Sequence, residues 1–169
     1  PMNGESLGLL IEEGRTNMLT QSAYDAVANT TNATFEGLAI APDGTNTAKR
    51  YSSSSGEKAV NQISFGGIAG NDYTFSVYVR STGVASQVNL QVGDTTYTET
   101  FDISTEWQRL DITKVNNASN TTRAYVRILN TGDEVEVWGA QLEEGSYPTS
   151  LIPTSGSTVT RSSDIATIE

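Results

Sequence analysis

The sequence predicts an all-β sandwich or jelly roll. About ten short strands can be read at roughly 8–12-residue intervals, with glycine-rich turns between them. Several of them alternate apolar and polar residues with a period of 2, and no segment carries a helical period. Charged residues make up only 18% of the chain, below the usual ~25%, and Thr, Ser and Asn fill the gap. A chain rich in Thr, Val and Tyr favours sheet over helix.

In chain order, residues 1–8 read as a loose leader, in which Pro1-Met2 resembles a cleavage scar ahead of a start. Leu9-Leu10-Ile11 reads as a short strand broken by Glu12-Glu13-Gly14, and Met18-Leu19 continues into the fold. Asp25 to Thr31 is polar and reads as loop. From Ala33 to Ala41 the alternation points Phe35, Leu38 and Ile40 inward. Pro42-Asp43-Gly44-Thr45 is a turn, because proline presets φ and glycine accepts φ > 0. Ala48–Ser52 and Ala59–Phe65 follow as strands, the second with Ile63 and Phe65 inward.

Tyr73–Arg80 is the clearest strand: Phe75, Val77 and Val79 share one face, and Ser76, Tyr78 and Arg80 the other. Gln87–Val92 puts Val88, Leu90 and Val92 inward and Gln87, Asn89 and Gln91 outward. Thr96–Ile103 is a further strand, and Trp107–Val115 begins on a tryptophan expected to anchor the core. Arg123–Leu129 directs Ala124, Val126 and Ile128 inward, Tyr125 and Arg127 outward. The closing strand, Val135–Leu142, has apolar residues on both sides, as in a strand covered on both faces. Strict alternation places Val135, Val137 and Gly139 on one side, and Trp138, Ala140 and Leu142 on the other. Trp138 is therefore expected in the core. Tyr147-Pro148 and Ile152-Pro153 hold the following segment extended, since a residue before proline is pushed out of the α region. The expected division is a leader over 1–8, a sandwich over 9–154, and a tail or linker start over 155–169.

Composition excludes several functions. The net charge is −10, from 10 basic and 20 acidic residues, so neither nucleic acid nor an anionic membrane surface is an expected partner. No apolar run approaches the ~20 residues of a membrane span. There is no cysteine and no histidine, which removes disulfides, Ser-His-Asp chemistry and the usual zinc sites. Four Asn-X-Ser/Thr sequons, at Asn29, Asn32, Asn117 and Asn120, fit chance in so Asn- and Thr-rich a chain.

Two stretches carry a resemblance. Trp138-Gly139-Ala140-Gln141-Leu142-Glu143-Glu144-Gly145-Ser146-Tyr147-Pro148-Thr149-Ser150, continued by Ile152 to Arg161, resembles the closing signature of a module common in tail proteins of bacterial viruses. Gly8 to Glu12, with Arg15-Thr16-Asn17-Met18-Leu19, is similar to that module's start. The resemblance covers nearly the whole chain. It implies a jelly-roll β-sandwich related to carbohydrate-binding modules, with a virion or extracellular setting inside a larger, multimeric viral protein. It does not imply one ligand.

The same resemblance implies how eight main strands divide between two sheets. Met18-Leu19, Val60–Phe65, Trp107–Thr113 and Val135–Leu142 would share one. Ala48–Ser52, Tyr73–Arg80, Val88–Val92 and Ala124–Leu129 would share the other. Tyr78, Arg80, Asn89, Gln91, Tyr125 and Arg127 would then converge on one outer face, with Tyr51 at its edge. That set suits a sugar: an aromatic ring covers the C–H side of a pyranose, and amides and guanidinium groups bond its hydroxyls. The expected partner is a polysaccharide or cell-surface glycan.

No cofactor is expected. Related jelly rolls often carry a structural calcium with an Asp of the last strand among its ligands, and the matching positions here, Trp138-Gly139-Ala140, lack the acid. Asp43, Asn46 and the Glu12-Glu13 pair remain as oxygen donors for such an ion. The expected function is a non-catalytic glycan-binding module, with a structural connector of a virion fibre as the alternative and a glycoside hydrolase a distant third. The last needs two acids about 5–10 Å apart across a cleft, and nothing in the spacing of Glu99, Asp102 and Glu106 selects them.

Overall fold

A computed structural model describes residues 11–22, 33–93, 98–117 and 121–165, with 61–63 and 121–122 described by their backbone alone. Among them are eleven strands: β1 Arg15–Asn17, β2 Thr34–Ala39, β3 Ala48–Ser52, β4 Lys58–Gly66, β5 Asp72–Ser81, β6 Gln87–Gly93, β7 Thr98–Asp102, β8 Gln108–Val115, β9 Thr121–Ile128, β10 Glu134–Glu144 and β11 Val159–Arg161. Every pairing is antiparallel. One sheet has five strands in the order β2-β3-β10-β5-β8, a second has four in the order β4-β9-β6-β7, and β1 pairs with β11 in a small third.

The alternating strands form the core as their period requires. Phe75, Val77 and Val79 of β5 meet Val88, Leu90 and Val92 of β6 and Ala124, Val126 and Ile128 of β9, all fully buried in one cluster. Side chains on the inner faces of two stacked sheets have no other place to go.

The division between sheets differs from the expected one. β10 lies between β3 and β5, and β5 pairs with β8, so the strands expected second, fourth, sixth and eighth share the larger sheet. Those expected third, fifth and seventh share the smaller one. Periodicity sets which side of a strand faces the core, but partner choice is made by long-range hydrogen bonds that leave no local mark.

Strict alternation fails in β10. Between the pairs Trp138–Tyr78 and Gln141–Ser76, Gly139 and Ala140 both stand opposite Val77. This is a β-bulge, and Gly139 occupies the left-handed region at φ 62°. The extra residue reverses the parity of everything after it. Val135, Val137, Ala140 and Leu142 all reach the core, while Glu136, Trp138, Gln141 and Glu143 face outward. Trp138 is thus not a core residue.

Other expectations shift for similar reasons. Leu9 and Leu10 and the Asp25–Thr31 loop lie outside the described residues, and Ile11 is exposed and not in a strand. Phe35, Leu38 and Ile40 are about half exposed rather than inward. β2 is an edge strand with its own register shift at Phe35/Gly37, and cross-sheet packing runs from β10 to β9 and from β5 and β8 to β6, away from that edge.

The closing signature acts as a latch. After β10 the chain turns back across the outer face of its own sheet. Buried Glu143 accepts from Thr149 N at 3.0 Å, Thr149 Oγ1 at 2.6 Å and Gln141 Nε2 at 2.7 Å. Gln141 Oε1 accepts from Ile152 N at 2.6 Å, and Asn17 Nδ2 donates to Ile152 O at 2.9 Å. At Gly145, φ 141°, a Cβ would sit on the Arg15 guanidinium, which donates to Glu144 O. Ser155 to Asp164 lies against the opening segment: Gln21 bridges Ser155, β11 pairs β1, and Asp164 N donates to Glu12 O.

The latch is expected to hold stability. Glu143→Ala leaves three donors without their acceptor, at ~1–3 kcal/mol per unsatisfied group. A loss of about 3 kcal/mol or more is expected in urea unfolding, whereas exposed Glu106→Ala should stay within about 0.5 kcal/mol.

Acid should loosen the closing segment. Burial pushes the Glu12 carboxyl up, but the Ser150 N–H and the Arg161 guanidinium outweigh it and hold it below the ordinary value of 4.5. A folded-state value below the unfolded one makes this stabilisation complete above the unfolded value, and it is lost as pH falls through the lowered folded value. Amide exchange at Val159–Arg161, corrected for intrinsic rates, should rise on acidification below that ordinary value, and Glu12→Gln should remove most of the pH dependence.

Candidate functional site

The six predicted residues fall on two opposite faces. Tyr78 and Arg80 of β5 lie on the outer face of the five-stranded sheet, whereas Asn89 and Gln91 of β6 and Tyr125 and Arg127 of β9 lie on the outer face of the four-stranded one. Convergence of all six is therefore overturned by the sheet order. The cause is the placement of β5 beside β10, not an error in which side chains point outward.

On the smaller sheet the four residues do meet. Asn89 stands opposite Arg127, and Gln91 opposite Tyr125. Across β4, Ala59 pairs with Arg127, and a register shift between Val60 and Ile63 falls opposite Tyr125. Across β7, Thr100 pairs with Asn89 and Thr98 with Gln91. A chain of polar contacts runs across the face. Glu57 Oε2 accepts from Arg127 Nη1 at 2.9 Å, Arg127 Nη2 donates to the Tyr125 hydroxyl at 2.6 Å, and that hydroxyl donates to Gln91 Oε1. The Arg127 guanidinium carbon also lies 5.4 Å from the Tyr125 ring centre.

Burial changes the roles. Gln91 is wholly buried and Tyr125 is 3% exposed, so the tyrosine is not the open stacking platform expected of it. Beside this network, Asn89 Oδ1 is buried and has no hydrogen-bond partner. A buried acceptor left unpaired costs free energy. The surrounding surface, with Thr98, Thr100, Gln87, Asp102 and Arg123, is polar and exposed. Gln87 Nε2 donates to Asp102 Oδ1 at 2.7 Å.

The outer face of the larger sheet holds what the sequence reading placed in the core. Trp138 pairs across the strands with Tyr78, and Tyr78 with Arg109. The Tyr78 and Trp138 rings lie 5.5 Å apart at 58°, and Trp138 Nε1 donates to Thr47 Oγ1 at 3.0 Å. One row away, Glu136 accepts from Arg50 Nη2 and Arg80 Nε, each at 2.6 Å. Arg80 stacks over Trp107 at 4.7 Å. Trp107 and Trp138 are each only partly buried and pack on a small platform of Ala39, Ala41 and Ala48, apart from the main core. Both tryptophans thus differ from their expected core positions. In β10 the signal was available in part, since the glycine after Trp138 is where a bulge can reverse the alternation.

The chain is a jelly-roll β-sandwich. Its fold is similar to that of TmCBM61 solved in complex with β-1,4-galactotriose, with a TM-score of 0.53 at 12% identity over 76% of this chain and 99% of that one. The CBM22-1 xylan-binding domain of Paenibacillus barcinonensis Xyn10C gives 0.52 at 9% identity over 81% and 99%. The enzymatically active domain of bacteriophage CBA120 tailspike protein 4 gives 0.54 at 5% identity over 76% of this chain and 21% of that one. At these identities the likeness is one of fold. No protein-family profile and no curated sequence matches the chain.

The acids singled out for a metal have other occupations. Asp43 Oδ1 accepts from Thr45 N at 2.9 Å and Thr45 Oγ1 at 2.7 Å, closing its turn. Glu12 bonds Ser150 N and Arg161, and Glu13 bonds Arg15. No cluster of three or more acids suited to a metal occurs among the described residues. Glu99 stands opposite inward Leu90 and Asp102 opposite outward Gln87, so the two acids point to opposite sides of β7.

Placement of the aromatics has a measurable consequence. Phe75→Ala, in the fully buried core, is expected to cost about 3–5 kcal/mol. Trp138→Ala, on the outer face, should cost clearly less in parallel urea titrations despite the larger side chain. Equal losses would return Trp138 to the core.

Proposed function

We propose that the chain is a non-catalytic polysaccharide-binding module, and that glycan lies across the outer face of the four-stranded sheet. The observation that carries this reading is the buried, unpartnered Oδ1 of Asn89, set among Gln91, Tyr125 and Arg127 on a polar face. Asn89 as a whole is only half-buried, so a turn of its amide brings that oxygen to a sugar hydroxyl, a donor of the right kind. Arg127 and Tyr125, held by Glu57 and Gln91, form a fixed polar edge beside it, so little ordering cost remains at binding. The fold likeness to carbohydrate-binding modules supports the same reading.

The closing signature and the fold likeness to a bacteriophage tailspike support a place in a viral tail or fibre protein, acting in the virion outside the cell. Such a site gains a few hydrogen bonds of ~0.5–1.5 kcal/mol each and then loses ordering and rigid-body terms. Affinity per site is expected between roughly micromolar and millimolar. Adhesion would then rest on several copies in one multimeric fibre, where linked sites raise avidity.

The test is calorimetry and affinity electrophoresis on soluble β-1,4-galactan, xylan and a glucan, the first two chosen because they resemble what the structural neighbours are described as binding. Asn89→Ala should weaken binding about tenfold, the equivalent of ~1.4 kcal/mol, with little change in melting temperature. Tyr125→Ala should lower both, because its ring is buried. Reducing-end assays should show no cleavage. Binding by none of these glycans would favour the connector role, and binding unaffected by Asn89→Ala would place the site elsewhere.

A further inference from the structure

We infer that the outer face of the five-stranded sheet is a second, separate glycan-binding surface, which takes a neutral pyranoside on Trp138 and Tyr78. This goes beyond the face proposed above and does not depend on it. The two lie on opposite sides of the sandwich, since β5 and β10 belong to one sheet and β6 and β9 to the other.

Three features fit that ligand. First, Trp138 and Tyr78 are directly paired across neighbouring strands and only partly buried, with rings tilted at 58°. The Trp138 indole offers an apolar plane for the C–H face of a sugar, and Tyr78, whose ring carries the Arg109 guanidinium at 5.8 Å, edges that plane. They are held in place from behind, because Gly139 leaves room for the Tyr78 ring and for Leu151 of the latch, while Thr47 fixes the indole N–H. Second, Arg80 reaches Glu136 through Nε alone, so its Nη groups remain as donors. They border a cleft of about 280 Å³ shared with Arg50, Glu136, Ser81, Thr82 and Thr105; the Thr82 hydroxyl donates to Glu134 O and the Ser81 hydroxyl accepts from Gly83 N, so each keeps the opposite capacity. Third, the charges of this face are largely paired with one another, which suits an uncharged sugar. Glu136 holds both Arg50 and Arg80, and Glu36 and Glu134 also act on Arg50.

The aromatic composition supplies the test. The chain has 2 tryptophans, Trp107 and Trp138, and both lie on this face. Tryptophan emission therefore reports this surface, while calorimetry reports both. The whole chain is titrated with soluble galactan, xylan and glucan, up to roughly millimolar sugar. The expected result is a saturable emission change with at least one of them, which persists in Asn89→Ala. Tyr78→Ala should weaken it at least fivefold while melting stays cooperative. Trp138→Phe, which keeps a ring and leaves Trp107 as reporter, should retain measurable binding. Emission unchanged by every probe overturns the inference, whatever calorimetry shows. So does an emission change abolished by Asn89→Ala and untouched by Tyr78→Ala, which would be a distant effect of the other face. An emission change that follows protein concentration rather than sugar, with a matching shift in sedimentation, also overturns it and assigns the face to a second copy of the chain. If calorimetric binding is lost in Asn89→Ala without any emission response in the parent chain, the first face stands and the second falls.

Discussion

A bulge at Gly139 decides what each side of this sandwich presents. β10 is the central strand of the five-stranded sheet, hydrogen-bonded to β3 on one side and to β5 on the other. An uninterrupted alternation would put Trp138 and Leu142 on one side, so that both would be buried or both exposed. One extra residue, with Gly139 at φ 62°, lets Val137 before it and Ala140 after it both enter the core. The outward set that results is Glu136, Trp138, Gln141 and Glu143. Before the bulge this set forms an aromatic and charged surface. After it, the same face carries the buried acceptors of the latch. A non-glycine residue at 139 would be strained there and would press on Tyr78 and Leu151.

The closing signature is therefore explained by structure more than by ligand. Gln141 and Glu143 satisfy backbone donors of Thr149 and Ile152, and Asn17 ties the opening segment to the same place. A segment without strand partners that crosses a sheet needs its polar groups paired, since unpaired ones are costly when buried. Gly145 gives Arg15 the space to reach Glu144 O. Gln141, Glu143 and Thr149 of the signature, with Asn17, hold the first and last parts of the domain together. Residues that face outward and retain hydrogen-bonding capacity, Asn89 above all, lie far from the signature in the chain.

The two faces also differ in how their polar groups are used. On the four-stranded sheet, Arg127, Tyr125 and Gln91 bond one another and leave Asn89 Oδ1 unanswered. On the five-stranded sheet, Glu136 is fully engaged by two arginines, and what remains is aromatic surface with guanidinium donors at its rim. The first is a face short of a donor, the second a face with rings and donors to spare.

Which side chains point away from the core in β5, β6 and β9 was legible from the sequence alone. The period-2 alternation of Phe75, Val77 and Val79, of Val88, Leu90 and Val92, and of Ala124, Val126 and Ile128 is imposed by strand geometry, so it survives into the fold unchanged. The all-β class was legible for the same reason. The tertiary structure alone decided which strands became neighbours, and so separated Tyr78 and Arg80 from Asn89, Gln91, Tyr125 and Arg127. It also decided that Phe35 and Leu38 stay half exposed on an edge strand, that Tyr125 is covered, and that Trp138 faces outward. The physical reason is common to all of these. Alternation is a property of one strand and its own backbone, whereas sheet order, edge position and the register reset by a bulge depend on hydrogen bonds between residues far apart in the chain.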